Sequence, residues 1–223
     1  NTGRAFALRS VRVFYRKNGP LRFVSHLDMS RLVTRMLRRT GLEVWYTEGF
    51  NSRLYINFAL PLSLGFTSNY ECFDFKLQQE TPVDFANLKQ RLIAAAPPGL
   101  EIFNLAEPVN KTGKIAAAEF KITLQDPAVY KPLLAFLAQP EIITAKKTKK
   151  GAVKQLNLAP LILAQSLTPQ KNSATLTLKL PAGGENNINP TLLLKAFSEQ
   201  TGLNPGYAVC RTALYLANGN KFI

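Results

Sequence analysis

From Ser10 to Arg16 apolar and polar positions alternate: Val11, Val13 and Tyr15 share one side, Arg12, Phe14 and Arg16 the other, which is the period of a β-strand. Lys17-Asn18-Gly19-Pro20 reads as a turn, and Leu21–Val24 as a short extended return. At Ser25 the period changes. Ser25-His26-Leu27-Asp28 has the form of a capping box, with Ser25 accepting from the Asp28 backbone N–H and Asp28 reaching back. Met29, Leu32, Val33, Met36 and Leu37 then recur at helical spacing and predict an amphipathic helix closed by Gly41. The opposite face carries Arg31, Arg35 and Arg38, with Arg39 widening the stripe and no acid interleaved.

Leu42–Tyr46, Leu54–Ala59 and Glu71–Leu77 read as strands, Val83–Ala95 as a helix stopped by Pro97-Pro98-Gly99, and Leu100–Leu105 as a strand. Pro108–Gly113 looks like a linker. Beyond it the order recurs: strand Phe120–Leu124, helix Ala128–Leu137, strand Glu141–Ala145, one or two strands in Gln155–Leu167 broken by Pro160, strand Ala174–Leu180, helix Pro190–Gln200 and strand Ala208–Leu216. The repeat is one of pattern, without residue identity. It predicts an α+β fold of two ferredoxin-like (split βαβ) halves with mostly antiparallel sheets, a basic N-terminal half over 1–108 and a C-terminal half over 114–223.

Charge changes the picture. Lys plus Arg is 28 against 14 acids, a formal net of +14. Such an excess favours a polyanionic partner. It is concentrated: Arg4, Arg9, Arg12, Arg16, Arg22, Arg31, Arg35, Arg38 and Arg39 precede residue 50, opposed there by Asp28, Glu43 and Glu48. Arginine suits phosphate because its planar fork binds two oxygens at once. A second basic run, Lys146, Lys147, Lys149, Lys150 and Lys154, surrounds Gly151, either a solvated hairpin tip or a further phosphate contact through Lys149 and Lys150. Cys72 and Cys210 lie far apart and neither sits in a CxxC, so a reducing cytoplasm is the natural compartment and no metal site is expected. No apolar run approaches the roughly 18–20 residues that span a bilayer, so no membrane partner is expected.

His26 is the only histidine. In the first turn of a helix beside Asp28 it reads first as a locally packed capping side chain, and otherwise as an acid–base or phosphate contact. The Arg31/Arg35/Arg38/Arg39 stripe reads as a phosphate-binding face, against a merely solvated one. In Gly49-Phe50-Asn51-Ser52-Arg53, Phe50 would stack on a base and Arg53 pair with phosphate, or Phe50 would simply pack in a turn. Trp45, Tyr46 and Tyr55 read as sheet residues rather than base platforms, and Cys72 as a small core residue.

The stretch Val13-Phe14-Tyr15-Arg16-Lys17-Asn18-Gly19-Pro20-Leu21-Arg22-Phe23-Val24-Ser25-His26-Leu27-Asp28 resembles the opening of the radical-SAM-linked family, a domain of unknown function. Leu37–Leu42, Glu48–Asn51, Phe58–Leu62, Gly65, Glu71, Lys149-Lys150-Gly151 and Val209–Tyr215 extend the likeness. Where a Pro-His-Pro-Lys-like segment is expected after Gly49-Phe50-Asn51, this chain has Ser52-Arg53-Leu54-Tyr55, which leaves no second histidine there. The resemblance implies a radical SAM protein as a neighbour, adjacent or fused. With no CxxxCxxC the chain holds no such cluster itself, so no cofactor is expected in it, and another polypeptide or domain would carry any radical chemistry. The expected function is a non-catalytic RNA-binding accessory or substrate-presenting module for a radical SAM enzyme. The alternatives are an RNA-processing or RNA-modifying enzyme using His26 and Asp28, and a protein-binding adaptor.

Overall fold

The first strand, β1 (Leu8–Lys17), places Val11, Val13 and Tyr15 in the core of its unit. The structure is a computed structural model that describes residues 7–79, 81–147, 153–184 and 187–223. Arg4, Lys149 and Lys150 therefore lie outside the described residues. Gly19–Phe23 forms a 3-10 turn in place of the extended return expected over Leu21–Val24. Pro20 at its start holds φ at a helical value, and Gly19 takes φ +55, so the chain coils and drops Leu21 into the core. Helix α1 (His26–Arg39) follows, with the Asp28 N–H donating to Ser25 Oγ at 3.2 Å. Met29, Val33, Met36 and Leu37 are buried, Leu32 is half-buried, and Arg31, Arg35, Arg38 and Arg39 are exposed.

The strand expected over Leu42–Tyr46 shrinks to single bridges, Val44 to Leu77 and Tyr46 to Leu54. The segment turns after Trp45 to meet Leu54, which ends the pairing. β2 (Ile56–Phe58), β3 (Thr67–Gln78), α2 (Phe85–Ala95) and β4 (Leu100–Ala106) complete the first unit. Its strand order is β4-β1-β3-β2, each pair antiparallel. Both helices pack their apolar faces into one core with Phe73 and Phe75 of β3.

The second unit contains β5 (Ile115–Leu124), α3 (Tyr130–Leu137), β6 (Ile143–Lys147), β7 (Val153–Asn157), β8 (Ala164–Gln170), β9 (Ser173–Pro181), α4 (Thr191–Thr201) and β10 (Tyr207–Leu216). Strands β10-β5-β9-β8 pair antiparallel in that order, and β6 and β7 form a separate two-stranded sheet. Pro160 breaks the Gln155–Leu167 segment at a 3-10 turn, Ala159–Leu161. The helices meet through Phe136 and Phe197, edge to face at 5.4 Å. The two compact units divide between Lys114 and Ile115, with Ile223 counted in the first. The chain is thus a mixed α/β protein with mostly antiparallel strand pairing and, among the described residues, four α-helices.

Among the described residues of the basic N-terminal stretch, one arginine is fully buried. Arg12 is 0% exposed, with Nε and Nη2 on Asp74 Oδ1 and Oδ2 at 2.7 and 2.8 Å. Its Nη1 and Nη2 also donate to the carbonyls of Ile223 and Asn110, each at 2.8 Å. Burial pulls the Arg12 pKa down, but the hydrogen bonds and charge of Asp74 more than offset this and leave it raised.

Candidate nucleic-acid interface

Arg31, Arg35 and Arg39 recur every four residues on α1 and so form one ridge along its outer surface. Beside the ridge is a recess of about 430 Å³ lined by Val24, Asp28, Arg31, Leu32, Arg35, Arg39 and Pro97. The stripe is partly neutralised, contrary to the sequence expectation: Asp28, one turn back, takes Arg31 Nη1 on Oδ1 at 3.0 Å. Its Oδ2 accepts from Ser25 Oγ at 2.7 Å, so the carboxylate closes the capping box through the side chain. The Ser25 bond, then the bond from Arg31, lower the Asp28 pKa below its usual value. Arg39 Nη2 donates to Ala95 O at 2.6 Å, and Arg38 lies 6.0 Å from the Tyr46 ring centroid. Arg35 has no hydrogen-bond or ion-pair partner among the described residues.

Phe50 and Arg53 are exposed but do not line the recess. Arg53 is held through its backbone, donating to Thr47 Oγ1 at 3.1 Å and accepting from the Thr47 N–H at 2.7 Å. Trp45 and Tyr55 stand 5.6 Å apart with Lys76 Nζ over both rings, at 4.8 and 4.9 Å. Cys72 is buried.

His26 and Asp28 are two residues apart on α1 and face different sides. His26 is exposed, meets Phe58 edge-on at 5.1 Å, and borders a separate cavity of about 10 Å³ with Tyr15, Lys17, Phe58 and Glu71. Desolvation, then the charge of Lys17, lowers its pKa, and Glu71 opposes them in part. Lys17 and Glu71 are buried, and Lys17 Nζ donates to Val24 O at 2.9 Å. The sequence suggests no site role for either, although period two runs Val11, Val13, Tyr15, Lys17 and Glu71, Phe73, Phe75, Leu77. Each charge thus stands at an inward position of its strand.

Among the described residues no group of three or more His, Cys, Asp or Glu is placed to hold a metal, and no helix is long and apolar enough to cross a membrane. The fold and recess define a mixed α/β protein with an arginine-rimmed, partly apolar groove on one helix. The chain belongs to the family described as "Uncharacterized protein conserved in bacteria (DUF2344)", which matches residues 10–190. No curated protein matches it. Two crystal structures are similar over most of the chain. One, of a candidate glycine cleavage system transcriptional repressor, is 12% identical over 91% of this chain and 96% of that one, with a TM-score of 0.26. The other, of an unknown protein from Galdieria sulphuraria, is 10% identical over 92% and 99%, with a TM-score of 0.29. Likenesses this low say nothing about fold or function here.

Proposed function

We propose that this chain is a cytoplasmic RNA-binding module that presents RNA to a radical SAM enzyme encoded beside it or fused to it. The observation that carries the RNA-binding reading is the α1 recess, where three arginines meet one carboxylate on a chain of net charge +14. The radical SAM partner rests on the sequence resemblance. We further read each unit as ferredoxin-like; in support, both use the order fourth-first-third-second, with a helix after the first and third of those four strands. An enzyme pairing His26 with Asp28 is disfavoured, because the two border different cavities.

The test is an RNA-binding titration at several salt concentrations with wild type and an Arg31→Glu/Arg35→Glu/Arg39→Glu variant, which replaces the three arginines that line the recess. Three phosphate contacts on single-stranded RNA give a log–log salt slope near about −2, at about −0.7 per contact. The charge swap is expected to weaken binding and flatten the slope while leaving thermal unfolding nearly unchanged, since all three side chains are exposed. Unaltered binding by the variant sinks the site. Absence of binding by wild type turns the reading to a protein-binding adaptor.

A further inference from the structure

Resting on the RNA-binding reading, we infer that the α1 recess takes one unpaired nucleotide, so that the ligand is single-stranded RNA rather than a duplex. Cations alone would serve either form, because both present phosphates. The recess offers more than cations. Val24, Leu32 and Pro97 are half-buried and give it an apolar wall beside the arginine ridge. Phosphate and ribose gain nothing from such a wall, whereas a base face does, and a duplex keeps its base faces stacked inside. At about 430 Å³ the recess is within the range of about 300–1,000 Å³ typical of small-molecule sites, so it has room for a nucleotide as well as a point contact.

The arginines divide the work. Arg31 and Arg39 are each tethered by one N–H, to Asp28 Oδ1 at 3.0 Å and to Ala95 O at 2.6 Å. Tethering holds their planar groups in place, so less side-chain entropy is lost on binding, and a guanidinium plane is itself a stacking surface for a base. Arg35 sits one turn from each and has no such tether, which leaves its whole fork for phosphate. Asp28 at the N-terminal end of the recess repels an anion there and confines the phosphate to the Arg35–Arg39 end. The base then lies toward Val24 and Leu32. Among the described residues no aromatic side chain lines the recess, so the contact is stacking on aliphatic and guanidinium surfaces and tolerates any base.

The probes are a short unstructured oligouridylate and an RNA duplex carrying a similar number of phosphates, titrated by fluorescence anisotropy at one salt concentration. Wild type is expected to bind the single strand about tenfold more tightly or better. Leu32→Gln, which keeps helix propensity, is expected to lower single-strand affinity about fivefold to tenfold with little change toward the duplex, while Arg35→Glu weakens both. Thermal unfolding of Leu32→Gln shows whether it is folded. Should it not be, ultraviolet crosslinking of wild type to a 5-bromouridine strand decides, with crosslinks expected within residues 24–39 or at Pro97. Equal affinity for single strand and duplex, or crosslinks that avoid those residues, overturns the inference and leaves the RNA-binding reading standing. Binding to neither RNA removes both.

Discussion

Arg12→Met tests the deepest electrostatic feature of the first unit. Methionine keeps much of the stem volume and deletes the guanidinium. Asp74, itself 8% exposed, then loses both bonds and its counter-charge, which in buried pairs costs about 3–5 kcal/mol. The carbonyls of Asn110 and Ile223 lose a donor each, adding about 1 kcal/mol apiece where water does not replace it. A loss of about 4 kcal/mol or more is expected, a large part of the roughly 5–15 kcal/mol that holds a domain together. Trp45 is the only tryptophan and belongs to the first unit, so its fluorescence during urea unfolding reports on that unit. Arg38→Met, at an exposed position, serves as control and is expected to stay within about 0.5 kcal/mol. In Arg12→Met/Asp74→Leu no unpaired charge is left, and most of the loss is expected to return. A loss under about 1 kcal/mol for Arg12→Met, or no recovery in the double variant, would refute the reasoning.

Two further outcomes follow from local geometry. Although His26 is exposed at the surface, partial desolvation where it meets Phe58, then the Lys17 charge, lowers its pKa in the folded chain, so folding disfavours its protonation. Its contribution is present above the unfolded value of about 6.5 and fades as pH falls through the lower folded value. Wild type should therefore lose more stability than His26→Gln between neutral pH and about pH 5, and the His26 proton resonances should titrate with a midpoint below 6.5; a midpoint above it would contradict the proximity of Lys17. Gly99→Ala would place a Cβ 2.5 Å from Asn18 O at φ +88 and is expected to cost about 1–3 kcal/mol beyond Gly65→Ala, where φ is +85 and the Cβ would meet nothing. Equal urea midpoints for the two variants would show that the Asn18–Gly99 approach is not as close as described.

Helix α1 was legible in the sequence because its signals are local. Ser25 caps the backbone three residues on, the 3.6-residue period puts Met29, Val33, Met36 and Leu37 on one side, and the same period leaves Arg31, Arg35 and Arg38 outside. Strand parity was equally local for Val11, Val13 and Tyr15. What the period cannot say is what covers a face. Arg12 stands on the side of β1 that a local reading gives to solvent, and Asp74, Asn110 and Ile223, all remote in sequence, hold it in the interior. Lys17 and Glu71 become neighbours of His26 only when β1, β3 and α1 are assembled. The recess likewise needs Pro97, brought beside α1 by the packing of α2, with the Arg39–Ala95 bond across their ends. A side chain's orientation is set by its own few residues of backbone, whereas its burial, partners and charge environment are set by whichever distant segments the common core draws against it.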